Sequence, residues 1–184
     1  MNRIRMFPRW SAPAAMLAVL LTSLLSACTG STSSALGDSR ATTTKLDSNS
    51  MVMRVRAAGQ IGNELDVQPL RDPQVEDLRG TAALAESRGD FATAKRALSQ
   101  ALLVTPEDPD LLQWQAELAL ATRDWPQAEQ LATRSFASGP KLGGLCRRNW
   151  TTLRFAAEAR GNSVAAAQAQ QRLTACTVAP PTRM

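Results

Sequence analysis

A repeat with a period of 34 residues runs through the second half of the chain and constrains its fold more than any other feature. Six residues recur at this spacing: Ala82, Leu84, Asp90, Phe91, Ala94 and Pro106 match Ala116, Leu118, Asp124, Trp125, Ala128 and Pro140. A period of this length is typical of stacked helical hairpins, in which each unit buries its apolar face against the next. We therefore expect an all-α fold, a short α-solenoid of about three hairpins, over residues 72–178, followed by a tail at 179–184.

Short polar residues indicate where these helices begin. Four aspartates stand where an N-cap is expected, namely Asp72 and Asp108, each followed by proline, and Asp90 and Asp124. Gly89 and Gly161 can end the helices that precede them. Small residues should let paired helices approach closely, and leucines should fill the core: Ala82, Ala94, Ala116 and Ala128, with Leu84, Leu98, Leu118 and Leu131. A plain alanine-rich bundle is the alternative interpretation.

The period and these residues resemble the tetratricopeptide repeat, a helix–turn–helix unit. In the first unit, Ala82, Ala94 and Ala101 stand at the small positions of the family pattern, Leu98 at its phenylalanine and Pro106 at its closing proline. In the second unit, Ala116 and Ala128 stand at small positions and Pro140 at the closing proline. A third, degenerate unit follows after a shift of four, with Trp150, Leu153 and Ala166 at family positions and Val178 in place of the closing proline.

The resemblance implies a concave groove lined by the first helix of each unit, which holds a segment of a partner protein. Carried over by position, its lining is Glu76, Arg79, Ala83 and Glu86, then Asp110, Gln113, Glu117 and Leu120, then Arg148, Thr151, Phe155 and Glu158. This lining would be acidic over the first two units, with Phe155 as an apolar anchor, so a basic or mixed peptide is expected. A solvated helix face is the alternative.

The start of the chain has the form of an export signal. Three arginines precede the apolar stretch from Ala14 to Leu25, and residues 1–27 therefore read as a signal peptide. Leu25-Ser26-Ala27-Cys28 resembles the lipobox of bacterial lipoproteins, which implies cleavage before Cys28 and acylation of its thiol with diacylglycerol and of its new amino group. An ordinary signal peptide cut nearby and an uncleaved anchor are the alternatives. Thr29, where aspartate would mark inner-membrane retention, favours the outer membrane facing the periplasm.

Residues 28–71 are expected to be the lipidated N-terminus and a mostly disordered tether. Between Thr29 and Ser50 the chain is dominated by Ser, Thr, Gly and Asp, which bury too little apolar surface to offset the entropy of ordering. About 40 residues of coil would reach roughly 35 Å. Residues 51–56, MVMRVR, could be a short strand or an extended strip docked on the domain, and the sequence does not decide between them.

Cys146 and Cys176 are expected to form a disulfide. Both would lie in the exported part, where disulfides persist, and the expected lipid would occupy the third cysteine, Cys28. In the third hairpin these residues stand at the start of one helix and the end of the other, which are neighbours in space. We interpret the bond as structural, since the pair lacks a C-x-x-C spacing, with a redox-active pair as the alternative.

Composition argues against several classes of function. The pI of 9.9 depends on the signal peptide, because removing its three arginines leaves 18 Lys and Arg against 16 acids. No basic stripe remains, so we expect no nucleic-acid partner. The chain has no histidine, which removes the usual general base and a common metal ligand. We therefore predict that it is not an enzyme, and expect no metal, no cofactor and no small-molecule substrate.

The sequence favours a lipid-anchored adaptor that binds a periplasmic or envelope protein through the groove. The alternative is a pilotin-like assembly factor for an outer-membrane, pilus or secretion machine, since some pilotins are lipoproteins with such repeats. An envelope enzyme or its regulatory subunit is the third and least favoured class.

Overall fold

The computed structural model describes residues 47–62 and 70–177. The signal peptide, Cys28 and the tail at 179–184 lie outside these ranges. The described residues form seven helices and no strand, so the expected all-α class is confirmed. The helices are α1 (Ser48–Gly59), α2 (Pro73–Ser87), α3 (Phe91–Val104), α4 (Pro109–Ala121), α5 (Trp125–Ser138), α6 (Gly143–Ala159) and α7 (Ser163–Thr174). None of them is long and apolar enough to cross a membrane.

Six of the helices form three successive hairpins, α2/α3, α4/α5 and α6/α7, each closed by three residues. All four aspartates expected as N-caps accept a hydrogen bond from a backbone N–H of their helix, as does Asn162 at α7. Gly89 and Gly161 stand in the hairpin turns with φ near +75°, where glycine is unstrained. Arg123 takes the equivalent position of the second turn at φ 61°.

The core consists of small and branched residues between neighbouring helices. The four alanines expected at close helix contacts are fully buried, and Leu98, Leu118 and Leu131 are buried as predicted. Leu84 was also expected in the core, but it is 53% exposed. Its counterpart Leu118 packs against the hairpin before it, and α2 belongs to the first hairpin, so Leu84 has no such neighbour.

The described part of the interval 28–71, assigned above mostly to tether, contains a helix. Residues 51–56 are neither a strand nor an extended strip, because they lie within α1. Asp47 caps this helix by accepting a hydrogen bond from the N–H of Ser50 at 3.0 Å. Met51, Val52 and Val55 are buried, and α1 packs against α4 and α6. The apolar residues of α1 are therefore part of the core.

A disulfide closes the third hairpin. Cys146 in the first turn of α6 is bonded to Cys176, just after α7, with 5.7 Å between their Cα atoms. The N–H of Gly143 also donates to the carbonyl oxygen of Cys176 at 2.7 Å. The expected pairing is present, and it joins the two ends of the last hairpin.

Candidate protein-binding groove and the helix that occupies it

The first helix of each hairpin, α2, α4 or α6, carries the residues expected to line a groove, and α1 covers part of this surface. The apolar side of α1 packs against Leu120 of α4 and Phe155 of α6, in one buried cluster with Ala119 and Ala156. At the helix ends, Arg123 Nε donates to Ser48 Oγ at 3.2 Å and Arg147 Nε donates to the carbonyl oxygen of Ala58 at 3.0 Å. We call the surface of α4 and α6 under α1 the covered groove.

Several predicted lining residues lie inside this packing and are not open to solvent. Phe155 is only 1% exposed, so the expectation of a free apolar anchor is wrong for the structure with α1 in place. Leu120 is likewise buried, and Thr151 is 3% exposed and donates to the carbonyl oxygen of Arg147. The physical reason is the same for the first two: α1 already supplies the apolar surface that they need.

Glu117 is the centre of the polar contacts in the groove. Its carboxylate is fully buried and accepts hydrogen bonds from Arg148 Nη2 at 2.6 Å and Arg148 Nε at 2.9 Å. Gln113 Nε2 donates to it at 3.1 Å and also to Thr152 Oγ1 at 2.8 Å. Arg56 of α1 adds a further bond from Nε, at 2.8 Å. A buried carboxylate needs such compensation, and here two arginines and an amide supply it.

Arg56 connects α1 to α2 as well as to α4. Its Nη2 donates to Glu86 Oε1 at 2.7 Å, while the other oxygen of Glu86 accepts from Trp114 Nε1 at 2.8 Å. Partial burial alone would lower the pKa of Arg56, but the charges and hydrogen bonds of Glu117 and then Glu86 outweigh it and raise that pKa. The expected acidic lining is therefore neutralised within the chain, which corrects the prediction of a free acidic face.

Two further predicted residues, Glu76 and Arg79, lie in the first half of α2. Glu76 is within 3.6 Å of Arg79, whose guanidinium lies 5.4 Å from the centre of the Trp114 ring. Arg71 joins this group through a 2.5 Å hydrogen bond to Asp110. The structure thus brings Glu86, Gln113, Glu117 and Arg148 together around α1. Glu76 and Arg79 lie beside this group and are connected to it through Trp114 and Asp110.

A cleft of about 970 Å³ separates α1 from α2. Its walls include Met53, Arg56 and Gln60 of α1 and Ala83 and Glu86 of α2, with Trp114 of α4 also contributing to the lining. Met53 is 72% exposed and Ala83 is exposed, so this part of the surface is open. The described ranges contain no group of three or more His, Cys, Asp or Glu side chains that could hold a metal ion.

Sequence reasoning missed α1, and with it the role of Arg56. The signals were present, since Asp47 precedes the helix as a cap and Met51, Val52 and Val55 recur at helical rather than strand spacing. Trp114 carried no signal, because the family pattern has no special role for its position. Arg56 could not be connected to Glu117, 61 residues away, without the packing of α1.

Together the stacked hairpins and the occupied groove define an all-α helical-repeat protein whose candidate site is a binding surface. No family profile matches the chain, and no curated protein sequence matches it. Among solved structures, the chain is similar to the globular C-terminal domain of P. aeruginosa LpoP, with 30% identity and a TM-score of 0.54. The match covers 57% of this chain and 99% of that domain. The chain therefore belongs to the family of the LpoP C-terminal domain.

Proposed function

We propose that this protein is a lipoprotein anchored through Cys28 in the outer membrane, facing the periplasm, and that its helical domain is an adaptor that binds another envelope protein. The observation that carries the proposal is the 30% identity to nearly all of the LpoP domain, since LpoP is a bacterial lipoprotein. The lipobox-like residues before Cys28 support the anchor independently. The disulfide between Cys146 and Cys176 is consistent with an exported domain.

We propose further that the hairpins are of the tetratricopeptide type. The starts of α3 and α5 are 34 residues apart, and the small residues at the family positions Ala82, Ala94, Ala116 and Ala128 are buried at helix contacts. Such units present a surface for peptides or helices of other proteins. A binding role without catalysis agrees with the absence of histidine from the sequence and with side chains in the groove that bond to one another.

The anchor is tested by labelling with palmitate. Wild type should incorporate the label and sediment with outer membranes, whereas Cys28→Ser should carry no label. Cys146→Ser, which leaves the lipobox intact, is the matched control and should be labelled like wild type. Equal labelling of wild type and Cys28→Ser would refute the anchor, and sedimentation with the inner membrane would refute the location.

The adaptor role is tested by purifying the tagged full chain from envelopes crosslinked in living cells. One envelope protein should be enriched over an unrelated lipoprotein bearing the same tag. Enrichment of a secretin would instead favour the assembly-factor function. If no protein is enriched over the control, the adaptor proposal is wrong.

A further inference from the structure

We propose that α1 is a displaceable occupant of the covered groove, and that the partner is an amphipathic helix carrying an arginine beside its apolar stripe, which replaces α1. This inference rests on the proposed adaptor function and names the surface and the partner's chemistry. The helix α1 is itself an example of a helix that the groove binds. In α1, apolar residues at 51, 52 and 55 are followed by Arg56, so the fitting pattern is apolar, apolar, two variable residues, apolar and arginine.

The two acids of the groove keep hydrogen-bond donors from outside α1 when α1 leaves. Glu117 keeps the double hydrogen bond from Arg148 and the bond from Gln113, neither of which involves α1. Glu86 keeps the bond from Trp114 Nε1. Loss of α1 removes the bond from Arg56 to the other oxygen of Glu117, Oε2, and the bond from Arg147 to Ala58. Each of the two acids still keeps at least one donor, and a fully unpaired buried carboxylate is the most costly outcome of breaking a buried ion pair.

The backbone of α1 packs against α4 and α6, and side chains add an ion pair from Arg56 to Glu86 of α2 and apolar packing near Ala128 of α5. Twelve residues form the helix, a length that is marginal for an isolated helix in water, and only four of them are buried. No residue of α1 packs its backbone against that of α2, α3, α5 or α7. The three hairpins contact one another directly, so their stack does not depend on α1 for its connections.

The open cleft beside α1 offers an incoming helix a first contact. Met53 and Ala83 are exposed on its two sides, and the indole of Trp114 is partly accessible between them. A partner helix can touch α2 here while α1 is still in place. Its arginine then takes over the bonds of Arg56 to Glu117 and Glu86, and its apolar stripe covers Phe155.

The test uses a fluorescein-labelled peptide with the sequence of residues 47–60 as the stand-in for the partner helix, and the purified full-length mature chain. Val55→Asp places a charge at a fully buried position of α1 and should release it, so this chain should bind the peptide at least tenfold more tightly than wild type. Asn49→Asp, which adds the same carboxylate at an exposed position of the same helix away from the cleft, should bind as wild type does. A peptide with arginine 56 replaced by glutamate should not bind.

Hydrogen exchange of the wild type gives a second readout that needs no variant. Amides of α1 should exchange through local opening, at least tenfold faster than those of α4 and α6. The inference is overturned if α1 exchanges only as fast as the whole domain unfolds. It is equally overturned if Val55→Asp keeps its helical circular dichroism but fails to bind the peptide.

The adaptor proposal and this inference fail in different ways. If the full chain enriches a partner from crosslinked envelopes but a saturating amount of the peptide does not reduce that capture, the displacement of α1 is wrong and the adaptor function stands. If the peptide exchanges with α1 but no partner is enriched, the adaptor function is wrong. Concentration-dependent dimers of wild type that the peptide dissolves would assign the groove to α1 of a second copy and refute the partner named here.

Discussion

At the scale of single residues, Glu117 determines how the groove is held together. Its carboxylate has no exposed surface, and the side chains of Arg56 and Arg148 that bond to it are 44% and 24% exposed. Breaking such a cluster leaves charges without partners, although partly exposed arginines can recover some hydration. The acid should therefore matter more than either arginine alone.

The first prediction concerns Glu117→Gln. It should lower the free energy of unfolding by roughly 1–3 kcal/mol, because two arginines lose their shared charge partner. Urea denaturation of the mature protein measures this. Glu158→Gln is the matched control, since Glu158 forms an exposed pair with Arg154 and should cost well under about 1 kcal/mol. Equal losses for the two variants would show that burial of the Glu117 cluster has no special weight.

At the scale of the elements, the helix ends follow from local chemistry. Each helix from α2 to α5 begins after an aspartate whose side chain accepts a hydrogen bond from the first turn. α4 is the central case, because Asp108 accepts from the N–H groups of both Asp110 and Leu111, at 2.9 and 3.1 Å. Loss of this cap should affect the helix that contacts most of the others.

The second prediction is that Asp108→Ala lowers the free energy of unfolding by about 1 kcal/mol, the usual contribution of an N-cap. Thermal melting followed by circular dichroism measures the change. Asp77→Ala, in the exposed middle of α2, removes an aspartate that caps nothing and should leave the melting temperature nearly unchanged. If the melting curves of Asp108→Ala and Asp77→Ala coincide, the Asp108 cap does not stabilise the fold and the prediction is wrong.

The hairpins could be predicted from sequence because caps, turn glycines and close-packed alanines act over a few residues. Asp90 with Gly89 and Asn162 with Gly161 mark their turns without reference to the rest of the chain. The cap and the helical spacing of α1 are local signals too, but its docking position could not be predicted, because it depends on apolar contacts with α4 and α6, which lie far along the sequence. The prediction of Phe155 as an open anchor failed for this reason, because Phe155 occupies the expected position but a helix from another part of the chain covers it.

At the scale of the whole molecule, the row of hairpins has two different ends. The first end is open, with Leu84 and Leu103 exposed on α2 and α3. At the other end, α7 buries only Ala166 and Ala169, and the disulfide holds its C-terminal side to the start of α6. An end hairpin has a neighbour on one side only, so a covalent link replaces some of the missing packing.

The third prediction is that Cys176→Ser lowers the melting temperature on the order of 10 °C, because a bond closing a loop of this length contributes about 3–4 kcal/mol on the chain-entropy model. Scanning calorimetry of oxidised wild type and variant measures it. Cys146→Ser and reduced wild type serve as controls and should melt with Cys176→Ser, because all three lack the same bond. An unchanged melting temperature in the three would mean that packing alone holds the last hairpin.

If the chain is anchored at Cys28 as proposed, the docking of α1 also changes how far the domain can travel from the membrane. With α1 beginning at Ser48, the segment from Cys28 to Asp47 has only 20 residues. If that segment behaves as the coil that its composition favours, its reach is roughly 24 Å rather than about 35 Å for the longer tether. Because search volume grows with the cube of reach, the domain explores about a third of the space, at a correspondingly higher local concentration. Release of α1 would thus open the groove and widen the search for a partner in the same step.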